Sequence, residues 1–152
     1  GSYGDHLCLC DFRYRKMRAT VDKRIQQGLD ASFQVQNDEV LEQAKNQLDA
    51  YFLGQRSAFN MNLLHVGTDF QKLVWRALMA VEYGDTTTYR DLANVTGNKA
   101  AVRAVAAANG ANALAIIVPC HRVIGSSNEL VGYGGGLPLK RKLLELEQGF
   151  KF

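Results

Sequence analysis

The amino-acid sequence predicts an α+β protein, a small N-terminal αβ domain followed by a mainly helical C-terminal domain that holds a helix-turn-helix. Three observations lead there. "HLCLCDF", His6 to Phe12, alternates in the manner of a strand. Several later segments carry apolar residues at helical spacing behind recognisable caps. Two short helical segments then meet around Gly97 with helix-turn-helix spacing.

In order along the chain, the first strand places Cys8 and Cys10 on one face, where packing explains both. "NDEVLEQAKNQLDAYF" (37–52) brings Val40, Leu41, Ala44, Leu48, Tyr51 and Phe52 to one helical stripe, with Asn37 or Asp38 as N-cap. "GQRSAFNMNLLHVG" has no helical period and reads as a linker, which puts the division between residues 1–62 and 63–152. "TDFQKLVWRALMAV" opens on a capping box, Thr68 with Gln71, and its stripe is Phe70, Leu73, Val74, Ala77, Leu78 and Val81, with Trp75 beside it. A second box, Thr88 with Asp91, starts a short helix that Gly97 closes in the left-handed conformation. Asn98 is the expected cap of "KAAVRAVAAAN", closed by Gly110. "ALAIIV" reads as a buried strand or extended segment ended by Pro119. "SSNELVGYGGGLP" is a glycine-rich loop, and "PLKRKLLELEQ" a last helix with Pro138 in its first turn and Gly149 beyond its end.

The 152 residues, 47% apolar and 22% charged, suit a soluble globular chain, expected to be intracellular: cytoplasmic in a bacterium, nuclear in a eukaryote. No apolar run is long enough to span a bilayer, so no membrane partner is expected. Three cysteines, an odd count, point to reduced thiols. The Cys8 and Cys10 pair lacks the spacing of a zinc knuckle, and His6 and His65 add no recognisable ligand pattern, so no metal is expected. A net charge of +3 does not by itself identify a nucleic-acid partner; the basic runs "RYRKMR" (13–18) and "KRK" (140–142) read as solvated faces.

The chemistry concentrates in "IIVPCHRVIG", Ile116 to Gly125. Positive charge or a basic imidazole raises the thiolate fraction of a cysteine, and His121 and Arg122 supply one of each beside Cys120. Neighbours in an extended segment point to opposite sides, so contact between Cys120 and His121 needs a bend or a bridging water. The tetrapeptide alone fits a structural thiol beside a satisfied histidine equally well. In the helix-turn-helix, the second helix offers Ala101, Ala104, Ala106, Ala107 and Ala108 with only Lys99 and Arg103 projecting. That surface suits close approach to a nucleic-acid backbone or shallow minor groove rather than base-edge readout, and it equally suits tight helix packing.

"PCHRVIG", preceded by "GNKAAVRAVAAANGANALAIIV" and followed by "GYGGGLPLKRKLLELE", resembles the active-site region of the O6-alkylguanine-DNA alkyltransferases, over more than half of the chain. The resemblance implies irreversible, stoichiometric transfer of an alkyl group from O6-alkylguanine, and also from O4-alkylthymine, in double-stranded DNA to Cys120, without a cofactor. It implies that His121 draws the thiol proton away through a water, that Glu147 polarises His121 and that Asn112 braces the turn. Tyr89 would help rotate the nucleotide and protonate the departing base. Arg103 would enter the base stack of a duplex held through its minor groove without sequence preference, and Lys99, Ala104, Ala107 and Arg122 would also face DNA. Val123, Leu130, Val131, Gly132, Tyr133, Gly134 and Gly135 would form the guanine pocket of a monomeric protein. Two departures stand out: the family's N-terminal part usually has an extra hairpin before the segment resembling "LCLCDF", whereas this chain starts almost at that strand, so its N-terminal domain is expected to be incomplete, as a natural short form or a trimmed one; and Gly134 stands where relatives often carry serine.

Three rival readings each ask for a residue pattern that this chain lacks. Alkyltransferase-like lesion sensors replace the acceptor cysteine, commonly with tryptophan, whereas Cys120 is intact. A helix-turn-helix regulator with a redox-sensitive Cys120 would need base-reading side chains that the alanine-rich helix lacks. A cysteine hydrolase would need an oxyanion hole, for which no residue pattern speaks.

Overall fold

A computed structural model describes residues 1–149, so the last three residues of the predicted C-terminal domain lie outside the described part. The architecture is α+β, dominated by six helices, with two-residue strands serving as clips. The N-terminal part starts with an antiparallel hairpin, β1 (Ser2–Tyr3) and β2 (His6–Leu7). The strand predicted from His6 to Phe12 is shorter than expected. After Leu7 the chain keeps only isolated bridges, Leu7 to Leu63 and Cys10 to Leu114, because its partners come from two separate loops rather than from one neighbouring strand.

Helix α1 (Arg18–Leu29) was not legible in the sequence: it has no side-chain cap, starts from a left-handed Met17, and buries only Val21 and Ile25. Helix α2 (Glu39–Phe52) follows the prediction. Asp38 is its cap, with Oδ1 accepting from the Leu41 amide at 2.8 Å. The Gln47 side chain, buried on α2, then fixes the linker by pairing with both the amide and the carbonyl of Asn60.

Helix α3 (Asp69–Met79) has the predicted Thr68–Gln71 capping box. Its core stripe differs: Trp75 is 2% exposed and Leu73 37%, since Trp75 alone can send an indole N–H to the Ala108 carbonyl, at 2.8 Å. Strand β3 (Thr87–Thr88) leads directly into α4 (Tyr89–Val95), capped by Thr88; Gly97 follows at φ 81°, as a left-handed stop requires. The Asp91 carboxylate answers the Thr88 hydroxyl rather than the backbone amide, so the cap is not a full box.

Helix α5 (Val102–Gly110) starts later than predicted. Asn98 caps the turn at Ala100 instead of the helix, and Gly110 is the last helical residue, followed by a right-handed Ala111. The run "ALAIIV" is buried but is not a strand. Ile116 sits at φ 72°, folding Ala115 back on Val118 in an isolated bridge. Pro119 then opens a single 3-10 turn, Cys120–Arg122, that passes into β4 (Val123–Ile124). Helix α6 (Leu137–Gln148) closes the described chain and ends at Gly149, φ 69°.

One apolar core joins the two parts, with Leu7 and Ala44 from the N-terminal side packed among Val74, Trp75, Leu78, Leu92, Val105, Val118 and Val123. No described helix is long and apolar enough to cross a membrane.

Candidate active site

Two local devices put Cys120 where it is. The left-handed Ile116 reverses the apolar run, and the parallel pairing of β3 with β4, Thr87 to Val123 and Thr88 to Ile124, sets the start of α4 beside the 3-10 turn. The second device brings Tyr89, the first residue of α4, to the same cavity as Cys120.

That cavity has a volume of about 220 Å³, large against the roughly 10–15 Å³ that suffices for one water. Cys120, 6% exposed, lies in its wall with Asn112, and Tyr89, Gly132, Tyr133, Gly134 and Gly135 line it as well. Val123, Leu130 and Val131, expected as lining, are not among its lining residues. Val123 is fully buried in β4, and the Val131 carbonyl instead takes a hydrogen bond from Lys140.

Asn112 is a brace in three directions. Its amide nitrogen donates to the Val118 carbonyl at 2.9 Å and to Cys120 Sγ at 3.2 Å, while its oxygen accepts from the Leu114 amide at 3.0 Å. Burial nevertheless raises the pKa of Cys120, with Asn112, Arg15 and Lys140 working against it. The resting sulfur is therefore a thiol despite the two basic neighbours in sequence, and its ionisation requires a base.

His121 offers one. It is fully buried, and Nε2 lies 2.7 Å from Glu147 Oε1. Burial outweighs Glu147 and lowers the histidine pKa, so the ring is neutral at pH 7. Glu147 is ionised: burial pushes its carboxyl up, but hydrogen bonds from His121 and Arg122 outweigh that and hold it at about 2. An ionised carboxylate fixes the proton on Nε2. The lone pair then belongs to Nδ1, which is buried with no hydrogen-bond partner.

Arg122 is not a surface residue. Its Nε and Nη2 reach the two oxygens of Glu147 at 2.8 and 2.9 Å, and Nη1 donates to the Val81 carbonyl at 2.5 Å. At 7% exposure it has no route to a duplex, which corrects its expected DNA contact: it is the counter-ion of Glu147. Tyr51 completes the cluster, donating to Glu147 Oε1 at 2.8 Å.

Helix α5 separates two faces. Val105, Ala108 and Asn109 are buried, whereas Arg103, Ala104 and Ala107 are exposed, as is Lys99 in the preceding turn. Ala106, Asn109 and Gly110 border the cavity. Arg103 stands seven residues before Gly110, about 10 Å along the helix axis.

Sequence reasoning missed several residues of this site. Tyr51 gave only a stripe position in α2, and Asn109 only a helix end. Lys140, inside a run read as solvated, is fully buried; its ammonium donates to the carbonyls of Val123, Val131 (2.5 Å) and Gly132 (3.2 Å). Burial lowers its pKa to about 8. Asp11, Phe12 and Arg15 also line the cavity; the run at 13–18 that holds Arg15 read only as a solvated face, and no pattern in the sequence singled out Asp11 or Phe12.

Residues 69–149 match the family described as 6-O-methylguanine DNA methyltransferase, DNA binding domain, and residues 4–64 the ribonuclease-like domain of the same family. A methylated-DNA–protein-cysteine methyltransferase of Methanosarcina acetivorans is 50% identical over 113 residues, 74% of this chain and 72% of that protein. One of Mycobacterium bovis is 54% identical over 105 residues, 69% of this chain and 64% of its own length. The crystal structure of Mycobacterium tuberculosis OGT in complex with DNA superposes with a TM-score of 0.83 at 40% identity, covering 98% of this chain and 84% of that one. The O6-methylguanine-DNA methyltransferase of the archaeon Pyrococcus kodakaraensis gives 0.63 at 28% identity, with 86% and 80% covered.

Proposed function

The chain belongs to the 6-O-methylguanine DNA methyltransferase family, and from that premise we propose that it repairs alkylated DNA by moving the alkyl group of O6-alkylguanine, and of O4-alkylthymine, onto Cys120. The single observation that carries this assignment is a buried thiol in the wall of a cavity next in sequence to a neutral histidine with an unpartnered Nδ1.

The reaction follows from the charges. His121 Nδ1 accepts the Cys120 proton, through an ordered water as the family resemblance implies, and the imidazolium so formed is balanced by Glu147 at 2.7 Å. The sulfur attacks the alkyl carbon in line, the carbon–oxygen bond breaks, and its electron pair leaves with the purine. A proton delivered to the purine restores neutral guanine, and Tyr89 is the donor we assign. Sulfur keeps the alkyl group as a thioether, so each molecule acts once. Arg122 and Tyr51 hold the Glu147 carboxylate still while charge comes and goes on the histidine.

The lesion is out of reach inside a duplex, so the base must be extruded at a cost of roughly a few kcal/mol. The exposed Arg103, Ala104 and Ala107 support a reading in which α5 enters the minor groove of a monomer-bound duplex, small side chains allowing close approach and Arg103 filling the stack. Lys99 would meet phosphate. Residues 1–62 and 63–152 would act as two lobes around the shared core.

Peptide mapping by mass spectrometry after mixing with a duplex carrying O6-methylguanine tests the assignment. A gain of one methylene equivalent on the peptide holding Cys120 is the expected result; a gain on Cys8 or Cys10, or none, would overturn it.

A further inference from the structure

The basic run at 13–18 is absorbed by neither the duplex-facing helix nor the Glu147 cluster, yet one of its side chains is buried at the reacting centre. The Arg15 side chain is 6% exposed and bonded to four oxygens. Nη1 donates to Asp11 Oδ2 and to the Asn112 carbonyl, both at 2.8 Å, Nε to the Lys16 carbonyl at 3.0 Å, and Nη2 to the Gly110 carbonyl. A guanidinium has five N–H groups, so one on Nη2 remains uncommitted.

The guanidinium also explains the glycine at 134. A Cβ built on Gly134 would lie 3.0, 3.1 and 3.2 Å from Cζ, Nη2 and Nε, over the flat face of the group. Four acceptors hold that group in place, so it cannot yield. The next glycine meets the same segment, because a Cβ on Gly135 would stand 2.7 Å from the Phe12 ring, which itself packs edge-on against Tyr133 with centroids 5.9 Å apart. The N-terminal segment thus forms one wall of the transfer cavity, and the glycine loop is shaped to fit it.

We propose that Arg15 is a further catalytic residue for alkyl transfer, its free Nη2 N–H and fixed charge stabilising the purine as it departs, in the place where a side chain at position 134 would otherwise reach. The proposal rests on Cys120 being the acceptor. During displacement one negative charge passes from sulfur to the purine oxygen and ring, then is cancelled by a proton. A cation already held by four oxygens needs no rearrangement to meet it. Asp11, the partner of Arg15, opposes this field and Lys140 adds to it; Arg15 influences Cys120 more strongly than either.

Single-turnover transfer from a methylated duplex, with melting curves for every variant, tests the proposal. Arg15→Ala should slow the limiting rate on the order of 10²-fold, with the half-saturating duplex concentration little changed, and Arg15→Lys should recover part of the loss. Gly134→Ser should slow the wild-type protein, where the new side chain meets the guanidinium, and speed the Arg15→Ala protein, where its hydroxyl fills the vacated space. A limiting rate for Arg15→Ala within about twofold of wild type would overturn the proposal. So would a rate loss matching the loss of folded protein, or a Gly134→Ser effect of the same sign in both backgrounds. Peptide mapping of the wild-type product comes first: a methyl group found elsewhere than on Cys120 defeats the acceptor assignment itself, whatever Arg15 does.

Discussion

Replacing Glu147 by glutamine keeps the shape of a side chain that is fully buried and removes its charge. One carboxylate oxygen accepts from Tyr51, His121 and Arg122 Nη2, at 2.7 to 2.9 Å, and the other from Arg122 Nε at 2.8 Å and the Gly84 amide at 3.4 Å. An amide has one acceptor oxygen and one NH2, so in either orientation its donor faces donors. Arg122 remains charged with half of its pairing lost, and breaking a buried pair costs about 3–5 kcal/mol. The carboxyl held at about 2 instead of its ordinary 4.5 converts to about 3 kcal/mol, an independent route to the same size. This is a depressed acid, so its stabilisation is complete above pH 4.5 and is lost as the pH falls towards 2. Glu147→Gln should remove that part of the acid slope. Urea unfolding at pH 7 reads the stability, and transfer rates corrected for folded fraction read the chemistry. Without a carboxylate to orient and balance His121, the rate should fall about 10²- to 10⁴-fold. A loss under about 1 kcal/mol, or an unchanged rate, would refute the argument that Glu147 is both the counter-ion of Arg122 and the partner of the base.

Cys120→Ala should bind lesion-bearing duplex as wild type does and leave it methylated, Arg103→Ala should bind more weakly, and Lys99→Ala should lower the salt dependence by about one phosphate contact, read by fluorescence anisotropy at several salt concentrations. Because burial raises the Cys120 pKa from 9.0, alkylation of the free protein by iodoacetamide should keep accelerating above pH 9, and a plateau below that value would contradict a resting thiol. Asn112→Ala removes bonds to Val118, Leu114 and the sulfur, and should cost about 1–3 kcal/mol in urea unfolding along with a slower transfer. Trp75→Phe deletes the indole bond to Ala108 and should lose about 1 kcal/mol with transfer chemistry intact.

What the sequence revealed depended on how local the cause was. Helices with their own caps, α2 behind Asp38, α3 behind Thr68 and α4 behind Thr88, were legible because cap and stripe lie within one segment. Helix α1 was not, since it has no such cap and two buried residues make no visible stripe. The run 113–118 is apolar enough for a strand, and only the left-handed Ile116 shows that it doubles back. At the site, Cys120 and His121 stood out as a chemical pair, and the family resemblance supplied roles for Asn112, Tyr89 and Glu147 that spacing could not. Arg122 and Arg15 exchanged their expected places: the arginine next to the cysteine is tied to Glu147, and one from a run that looked solvated is buried beside Gly134. Such partners lie 25 residues apart in one case, and 95 and 97 in the other, beyond the reach of any local pattern.

The most direct test is a crystal structure of the Cys120→Ala protein bound to a duplex containing O6-methylguanine. The account predicts an everted purine between Tyr89 and Tyr133, its methyl carbon about 3–3.5 Å from the position of the missing sulfur, and Arg103 in the stack. A lesion still paired or stacked in the duplex, with the cavity filled only by solvent, would contradict it.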